Sequence, residues 1–344
     1  MSARALRLGV VGAGGWGTAL AVLLARKGFD VTLWSRRSEH ARELEKAREN
    51  KAYLPGVPLP DSVRVTCDLS EAARCARLIL AVPSQALRSL WERLRPLLGA
   101  GAAVLNTAKG LEADTGLRLS QVLQEGGFPP DRIGVLSGPN HAEEVGRGIP
   151  TTSVVAGRSR ALIEEWQELL MSSTFRVYTN EDLTGVELGG ALKNVIAIAA
   201  GISDGLGFGD NTKAALITRG LAEMSRLGVA MGANVITFAG LSGMGDLVAT
   251  STSAHSRNTQ AGYAIGRGAT LEEVLRSTPM VIEGVPTCRA ALILAAAHGV
   301  EMPITRAVAQ ILFEGKSPRQ AVAELMGRGP KSELEALFPP SLAE

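Results

Sequence analysis

Cysteine is scarce, with only Cys67, Cys75 and Cys288 in a chain of 344 residues. An odd number argues against a disulfide framework, and the three have no metal-ligand spacing, so no metal is expected. Such usage suits a reducing, cytoplasmic setting. The chain also lacks any run of about 18 uninterrupted apolar residues, which excludes an expected membrane span. It has no Lys/Arg run and no basic patch interleaved with aromatics, and its formal net charge is only +2. Nucleic acid is therefore not an expected partner. Arg4 and Arg7 ahead of an apolar stretch imitate a signal peptide, but Gly9, Gly12, Gly14, Gly15 and Gly17 would interrupt its apolar segment. No internal repeat or low-complexity stretch occurs, and no Ser-, Pro- or Gly-rich linker divides the chain.

What is present is a chain 46% hydrophobic, long enough for two domains with sizeable cores. Up to about residue 180, short β-branched or apolar runs alternate with helical patterns. The runs are 8–11, 31–34, 63–66, 78–82, 103–106, 134–136, 153–155 and 176–178. Their alternation predicts a parallel sheet covered by helices. Beyond that point long Ala/Leu/Ile segments take over, with Leu188, Leu192, Ile196 and Ala200 at i, i+4 steps. The expected fold is an α/β Rossmann-type N-terminal domain over 1–180 and an all-helical substrate and catalytic domain over 181–344. From about Gly327 a poorly anchored tail is expected.

The first strand runs into Gly-Ala-Gly-Gly-Trp-Gly-Thr (12–18), a Gly-x-Gly-x-x-Gly turn that opens a helix. Gly12 allows the tight turn, Gly14 lets backbone approach a pyrophosphate, and Gly17 lets helix pack on strand. The helix N-terminus then faces the phosphates. No acidic residue follows the second strand to bond a ribose hydroxyl. Ser35, Arg36 and Arg37 stand there, which suits a 2′-phosphate and hence NADP(H) over NAD(H); a solvated basic helix start is the plainer alternative.

In such sheets ligands lie beyond the carboxyl ends of the strands. Pro83, after the fourth strand, either lies against the dinucleotide or simply ends the strand. Lys109, after the fifth, offers an ammonium to a phosphate or carbonyl oxygen, or is merely solvated. Gly138 and Asn140, after the sixth, offer backbone N–H groups and an amide, while His141 reads as a packing or capping residue. In the helical half, Gly189, Gly190 and Ala197 flank Lys193 and leave it unshielded, with room for a small ligand. Its apolar neighbours Leu192, Val195, Ile196 and Ile198 predict a desolvated ammonium with a lowered pKa, fit for proton transfer. Leu241-Ser242-Gly243-Met244-Gly245-Asp246 reads as a Gly-rich connection bearing one carboxylate. Ser256 reads as a helix N-cap, with Arg257 beside the free N–H groups as a phosphate clamp.

Taken with Ala-Val-Pro-Ser (81–84), Lys-Gly-Leu-Glu (109–112), Ser-Gly-Pro-Asn-His-Ala-Glu-Glu-Val (137–145), Leu-Lys-Asn-Val (192–195), Gly-Leu-Gly-Phe-Gly-Asp-Asn (205–211), Ser-Gly-Met-Gly-Asp-Leu (242–247) and Ser-Arg-Asn (256–258), the chain resembles the bacterial NAD(P)-dependent glycerol-3-phosphate dehydrogenases over essentially its whole length. The resemblance implies reversible hydride transfer between NAD(P)H and dihydroxyacetone phosphate, giving sn-glycerol 3-phosphate for glycerophospholipid synthesis. It implies Lys193 as proton donor and acceptor, supported by Lys109. It implies Lys109, Gly138, Asn140, Lys193, Asn194, Asp246, Ser256, Arg257 and Asn258 at the substrate. Cofactor contacts by the same resemblance are Gly15, Trp16, Arg36, Lys109, Ala142, Arg257, Val281 and Glu283, beside Gly12, Gly14, Gly17, Arg37 and Pro83. One departure stands at Asn140-His141, where many relatives carry Ser-Phe; an amide still supplies a donor and an acceptor. A homodimer is the expected assembly. The alternative reading is a dehydrogenase of the phosphogluconate or β-hydroxyacid type, against which the Ser256-Arg257-Asn258 clamp and Lys193-Asn194 argue.

Overall fold

The computed structural model describes residues 6–278, 280–330 and 332–333. The chain divides into two compact units, residues 1–108 with 119–183 and residues 109–118 with 184–344.

Unit 1 contains all eight expected strands: β1 (Arg7–Val11), β2 (Asp30–Trp34), β3 (Val63–Thr66), β4 (Arg77–Leu80), β5 (Ala103–Asn106), β6 (Ile133–Ser137), β7 (Thr151–Gly157) and β8 (Phe175–Asn180). They form one sheet in the order β3-β2-β1-β4-β5-β6-β7-β8. The strand order reverses between β1 and β4, the switch point where open α/β sheets hold ligands. Val10 is paired with Leu33 on one side and Ile79 on the other. Successive residues of a strand face opposite sides, and both sides are covered here. Leu8 and Val10 pack with Leu20, Leu24 and Trp166 of helices α1 (Gly15–Arg26) and α7 (Arg160–Leu170). Val11, Leu78 and Leu80 pack with Trp91 and Leu94, and each fully buried leucine of this kind is worth about 1.5–3 kcal/mol.

The sheet departs from the expected parallel arrangement at one pairing, since β6 and β7 run antiparallel. The connection from Ser137 to Thr151 carries only the short helix α6 (Ala142–Arg147), which packs on α1. The chain therefore re-enters the sheet at the edge it left, without the long crossover a parallel neighbour requires.

Unit 2 is helical. Its axis is α8 (Leu183–Gly205), 23 residues long and apolar enough by length and composition to cross a membrane, with its apolar window wholly buried. A helix apolar on every side needs such a surround. It packs against α12 (Arg257–Gly266) through glycines on both helices. A Cβ at Gly201 would lie 2.1 Å from Thr259 O, and one at Gly262 would lie 2.1 Å from Ile198 O. This backbone-to-backbone approach sets the start of α12 beside the middle of α8. Around the pair stand α9 (Asp210–Ala230), α11 (Asp246–Thr252), α14 (Gly284–Ala297), α15 (Pro303–Phe313) and α16 (Pro318–Met326). The tail expected from about Gly327 lies, from residue 331 on, outside the described residues except for 332 and 333.

Candidate active site

Unit 1 builds a dinucleotide cradle. Gly12 has φ +119°, and a Cβ there would meet Ala81 O at 2.4 Å. A Cβ on Gly17 would meet Gly12 O at 1.8 Å, so only glycine lets α1 begin this close to β1. Gly14, by contrast, has nothing within 4 Å of its Cβ position. It is the N-cap of α1, whose first turn contains no acidic residue and no side-chain cap. That leaves N–H groups and the positive helix end directed at open space, which fits a pyrophosphate. Gly15 lies against Tyr53 O, with Ala142 nearby, and Trp16 packs on the unit-1 core. Asn50 buttresses the loop by donating to Ala13 O at 3.1 Å and to Thr18 Oγ1 at 2.7 Å.

After β2, Ser35 is buried and bonded to His40 Nδ1 at 3.0 Å. Arg36 and Arg37 are both exposed, and Arg37 Nη2 donates to Tyr53 OH at 3.1 Å. Pro83 leads out of β4 in extended backbone. Gly138 adopts φ +119° after β6, and Asn140, expected at the substrate, is buried with its Nδ2 donating to Ser153 Oγ at 2.8 Å. His141 stands at the N-cap position of α6 but makes no side-chain cap bond.

In unit 2 two lysines share one carboxylate. Lys193 Nζ is 2.9 Å from Asp246 Oδ1, and Lys109 Nζ is 2.8 Å from Asp246 Oδ2. Lys193 Nζ also donates to Thr250 Oγ1 at 2.5 Å, and the Thr250 hydroxyl donates to Asp246 Oδ1 at 3.1 Å. Burial pushes the Lys193 ammonium down; Asp246 opposes that, Lys109 and Arg257 add to it, and the result is about 8. Burial alone would raise the Asp246 carboxyl, but the ammoniums of Lys109 and Lys193 hold it below the usual carboxylate range. The expected lowered lysine is present.

Two details differ from expectation. Lys193, only 5% exposed, is desolvated as expected, but Gly189 does not open space for a ligand. A Cβ there would meet Ser242 O at 2.7 Å, so this glycine admits the turn of π-helix at Leu241–Gly245 against α8. Asp246 is not in a loop but is the first residue of α11, directed inward by that turn. Thr250 escaped the sequence reading, although i, i+4 spacing from Asp246 on one helix was the available signal.

The clamp at α12 is scaffolded as well. Ser256 caps the helix by accepting from Thr259 N at 3.2 Å. Asn258 Nδ2 donates to Asn194 Oδ1 at 2.8 Å, and Asn258 Oδ1 accepts from Gly284 N at 2.9 Å. Asn194 Nδ2 donates in turn to Lys109 O at 2.8 Å. The Asn258 and Ser256 side chains, both expected at the substrate, thus also fix the geometry of the start of α12. Arg257 remains exposed and donates through Nη1 to Val281 O at 3.1 Å. Glu283 stands at the N-cap position of α14.

Residues 7–163 match the N-terminal part, and residues 182–323 the C-terminal part, of the family described as NAD-dependent glycerol-3-phosphate dehydrogenase. A glycerol-3-phosphate dehydrogenase [NAD(P)+] of Moorella thermoacetica is 57% identical over 96% of this chain and 98% of its own length. The chain belongs to the NAD-dependent glycerol-3-phosphate dehydrogenase family. Another member, from Pelotomaculum thermopropionicum, is 56% identical over 96% of this chain and 95% of its own. The crystal structure of glycerol-3-phosphate dehydrogenase from Coxiella burnetii superposes with a TM-score of 0.90 at 41% identity, covering 94% of this chain and 99% of that one. These relatives support the family reading and not the phosphogluconate or β-hydroxyacid alternative.

Proposed function

We propose that this chain catalyses reversible hydride transfer between NAD(P)H and dihydroxyacetone phosphate, yielding sn-glycerol 3-phosphate as a precursor for glycerophospholipid synthesis. The observation that carries the chemistry is the buried Lys193–Asp246–Lys109 arrangement, in which a lysine near pKa 8 is held by one shared carboxylate. In this reading residues 1–180 bind the dinucleotide through Gly12, Gly14, Gly15, Trp16, Gly17, Arg36, Arg37, Pro83 and Ala142, and residues 181–344 bind substrate. When bound, the dinucleotide supplies or accepts the hydride.

The protein's own residues manage charge and proton. Lys193 donates its proton to the substrate's C2 oxygen in reduction and takes it back in oxidation, a task suited to a group that titrates near working pH. Lys109 stabilises negative charge developing on the same oxygen. Asp246 keeps both ammoniums in place, and Thr250 fixes the direction of the Lys193 Nζ. Arg257 and the first-turn N–H groups of α12 take the phosphate, and Gly138 and Asn140 complete the substrate contacts. Phosphate binding remote from C2 then orients the reacting carbon.

We further propose a cytoplasmic homodimer. Ile236, Met244 and Val248 are exposed on consecutive elements of unit 2, an apolar surface of the kind that pairing covers. Sedimentation of the purified chain tests the assembly. For the reaction, dihydroxyacetone phosphate added with NADPH, and in parallel with NADH, should lower absorbance at 340 nm. No change with either would remove the substrate assignment.

A further inference from the structure

Lys109 does not come from the helices of unit 2. It opens a ten-residue excursion, Lys109–Arg118, that leaves the sheet after β5, joins unit 2 and returns to helix α5 (Leu119–Glu125). A loop lysine on such a tether would ordinarily roam, because fixing each residue of free chain costs about 1–2 kcal/mol. This one ends within hydrogen-bond distance of Asp246, so the excursion itself has to be held.

Its restraints can be traced. The two ends of the excursion pair with each other through a bridge between Leu111 and Arg118. Glu112 N donates to Leu117 O at 3.0 Å, and Gly116, at φ +73°, turns the chain. Leu111 is fully buried in the same core as Leu188 and Leu192 of α8. At the Lys109 end, Asn194 Nδ2 holds the main-chain oxygen. At the far end the Arg118 guanidinium meets the Glu187 carboxylate at 2.5 Å, with the side chains only 9% and 5% exposed. Glu187 and Asn194 are seven residues apart on α8, two turns along one face and about 10 Å in rise. One stripe of α8 therefore grips both ends of the hairpin, by an amide at one and a buried ion pair at the other.

We propose that Arg118 and Glu187 are positioning residues for the reaction: their ion pair locks the 109–118 hairpin onto α8 so that the Lys109 ammonium stays on Asp246. The inference rests on the roles assigned above to Lys109 and Lys193. It has a consequence that a merely structural pair would not have. The Lys109 charge helps depress Lys193, so releasing Lys109 removes a like charge from beside Lys193 and lets its pKa rise.

The test is a cycle of Lys109→Ala, Glu187→Gln and the double variant, with the pH profile of reduction and the KM for dihydroxyacetone phosphate measured for each. The expected result is that E187Q raises KM, lowers kcat and moves the alkaline limb upward, and that adding K109A to E187Q changes little. Contacting or chained residues show such non-additivity, whereas independent ones add. Arg118→Lys, which keeps the charge, should recover part of the loss that Arg118→Met does not. Two fully additive single effects would overturn the proposal, as would an E187Q variant that melts earlier but keeps the wild-type limb and KM. If E187Q fails to fold, R118K against R118M carries the same comparison. Wild-type protein without turnover, or K109A without effect, would instead remove the assignment of Lys109 itself.

Discussion

Asn258 donates from Nδ2 to Asn194 Oδ1 at 2.8 Å, and this bond ties the helix that begins with Arg257 to the helix that carries Lys193. The same Asn194 holds the main chain of Lys109. A single buried amide thus sets the distances among a phosphate clamp, a proton carrier and an electrostatic partner. Because buried amides must have both ends satisfied, these distances are fixed before any ligand arrives.

Lys193→Ala should lower kcat by about 10²–10⁴, the range spanned by positioned general acids and bases. NADPH affinity should change little, since the glycine loop and Arg36 belong to unit 1. Stopped-flow turnover and fluorescence titration of NADPH separate the two quantities. Turnover close to wild type would remove Lys193 from the proton step.

The pH dependence has a definite sign. Lys193 titrates at about 8 because burial disfavours its charge more than Asp246 restores it. Reduction needs the ammonium, so kcat/KM with dihydroxyacetone phosphate should fall as pH rises through about 8. Oxidation of glycerol 3-phosphate needs the neutral amine and should rise over the same interval. Thr250→Val removes the hydroxyl bridging Lys193 and Asp246 and should shift both limbs together. Rates that do not change with pH in opposite directions for the two reactions, or limbs that Thr250→Val does not shift together, would rule out a shared group.

Arg257→Ala should act mainly on KM. Loss of a charge-assisted contact costs about 1.5–3 kcal/mol, which corresponds to a rise in KM of about ten- to more than a hundredfold. A substrate analogue without the phosphate should show no such loss. An unchanged KM for the phosphorylated substrate contradicts the clamp.

Much of this was legible in residue order. The strand–Gly12-x-Gly14-x-x-Gly17–helix segment announces itself because backbone geometry demands those glycines, as the Gly12 and Gly17 contacts show. The eight strands were readable because each is a short apolar or β-branched run between helical patterns, although β3 and β8, at the two ends of the sheet, expose Arg64 and Arg176. The antiparallel β7 was not, since its sequence carries the same pattern in either direction and only the connection through α6 decides. Lys193 was readable from its apolar flanks. The role of Gly189 was misread, because a glycine that admits a ligand and one that admits another backbone look alike in sequence. Arg118 and Glu187 were invisible as a pair, lying 69 positions apart with no shared periodicity.

Cofactor choice should respond to Arg36. It is exposed and has no ion-pair partner among the described residues, whereas Arg37 is tied to Tyr53. Arg36→Ala should therefore lower kcat/KM for NADPH about tenfold or more, the usual weight of a guanidinium on a phosphate, and leave NADH nearly unchanged. Equal losses with the two cofactors would mean that Arg36 does not meet a 2′-phosphate.

Stability should carry its own pH signature, set by a group outside the reaction. Glu223 on α9 accepts from Ile304 N at 2.5 Å and from Thr305 N and Oγ1 at 3.1 Å. It caps α15, whose own N-cap residue Met302 offers no side-chain bond. Burial drives the carboxyl up to about 7 from an ordinary 4.5, against those three donors and Arg226. With the folded value raised, the native chain holds this proton more tightly than the unfolded chain. The contribution is present below about 4.5 and is lost as pH rises to about 7, by at most about 3.5 kcal/mol at about 1.4 kcal/mol per pH unit. Asp246 is shifted the other way, so it is already ionised across this interval and adds no slope. Glu223→Gln cannot titrate, and although its amide loses one acceptor and lowers the melting temperature throughout, the difference from wild type should shrink steadily between pH 5 and pH 8. A constant difference across that range would place the slope on another group.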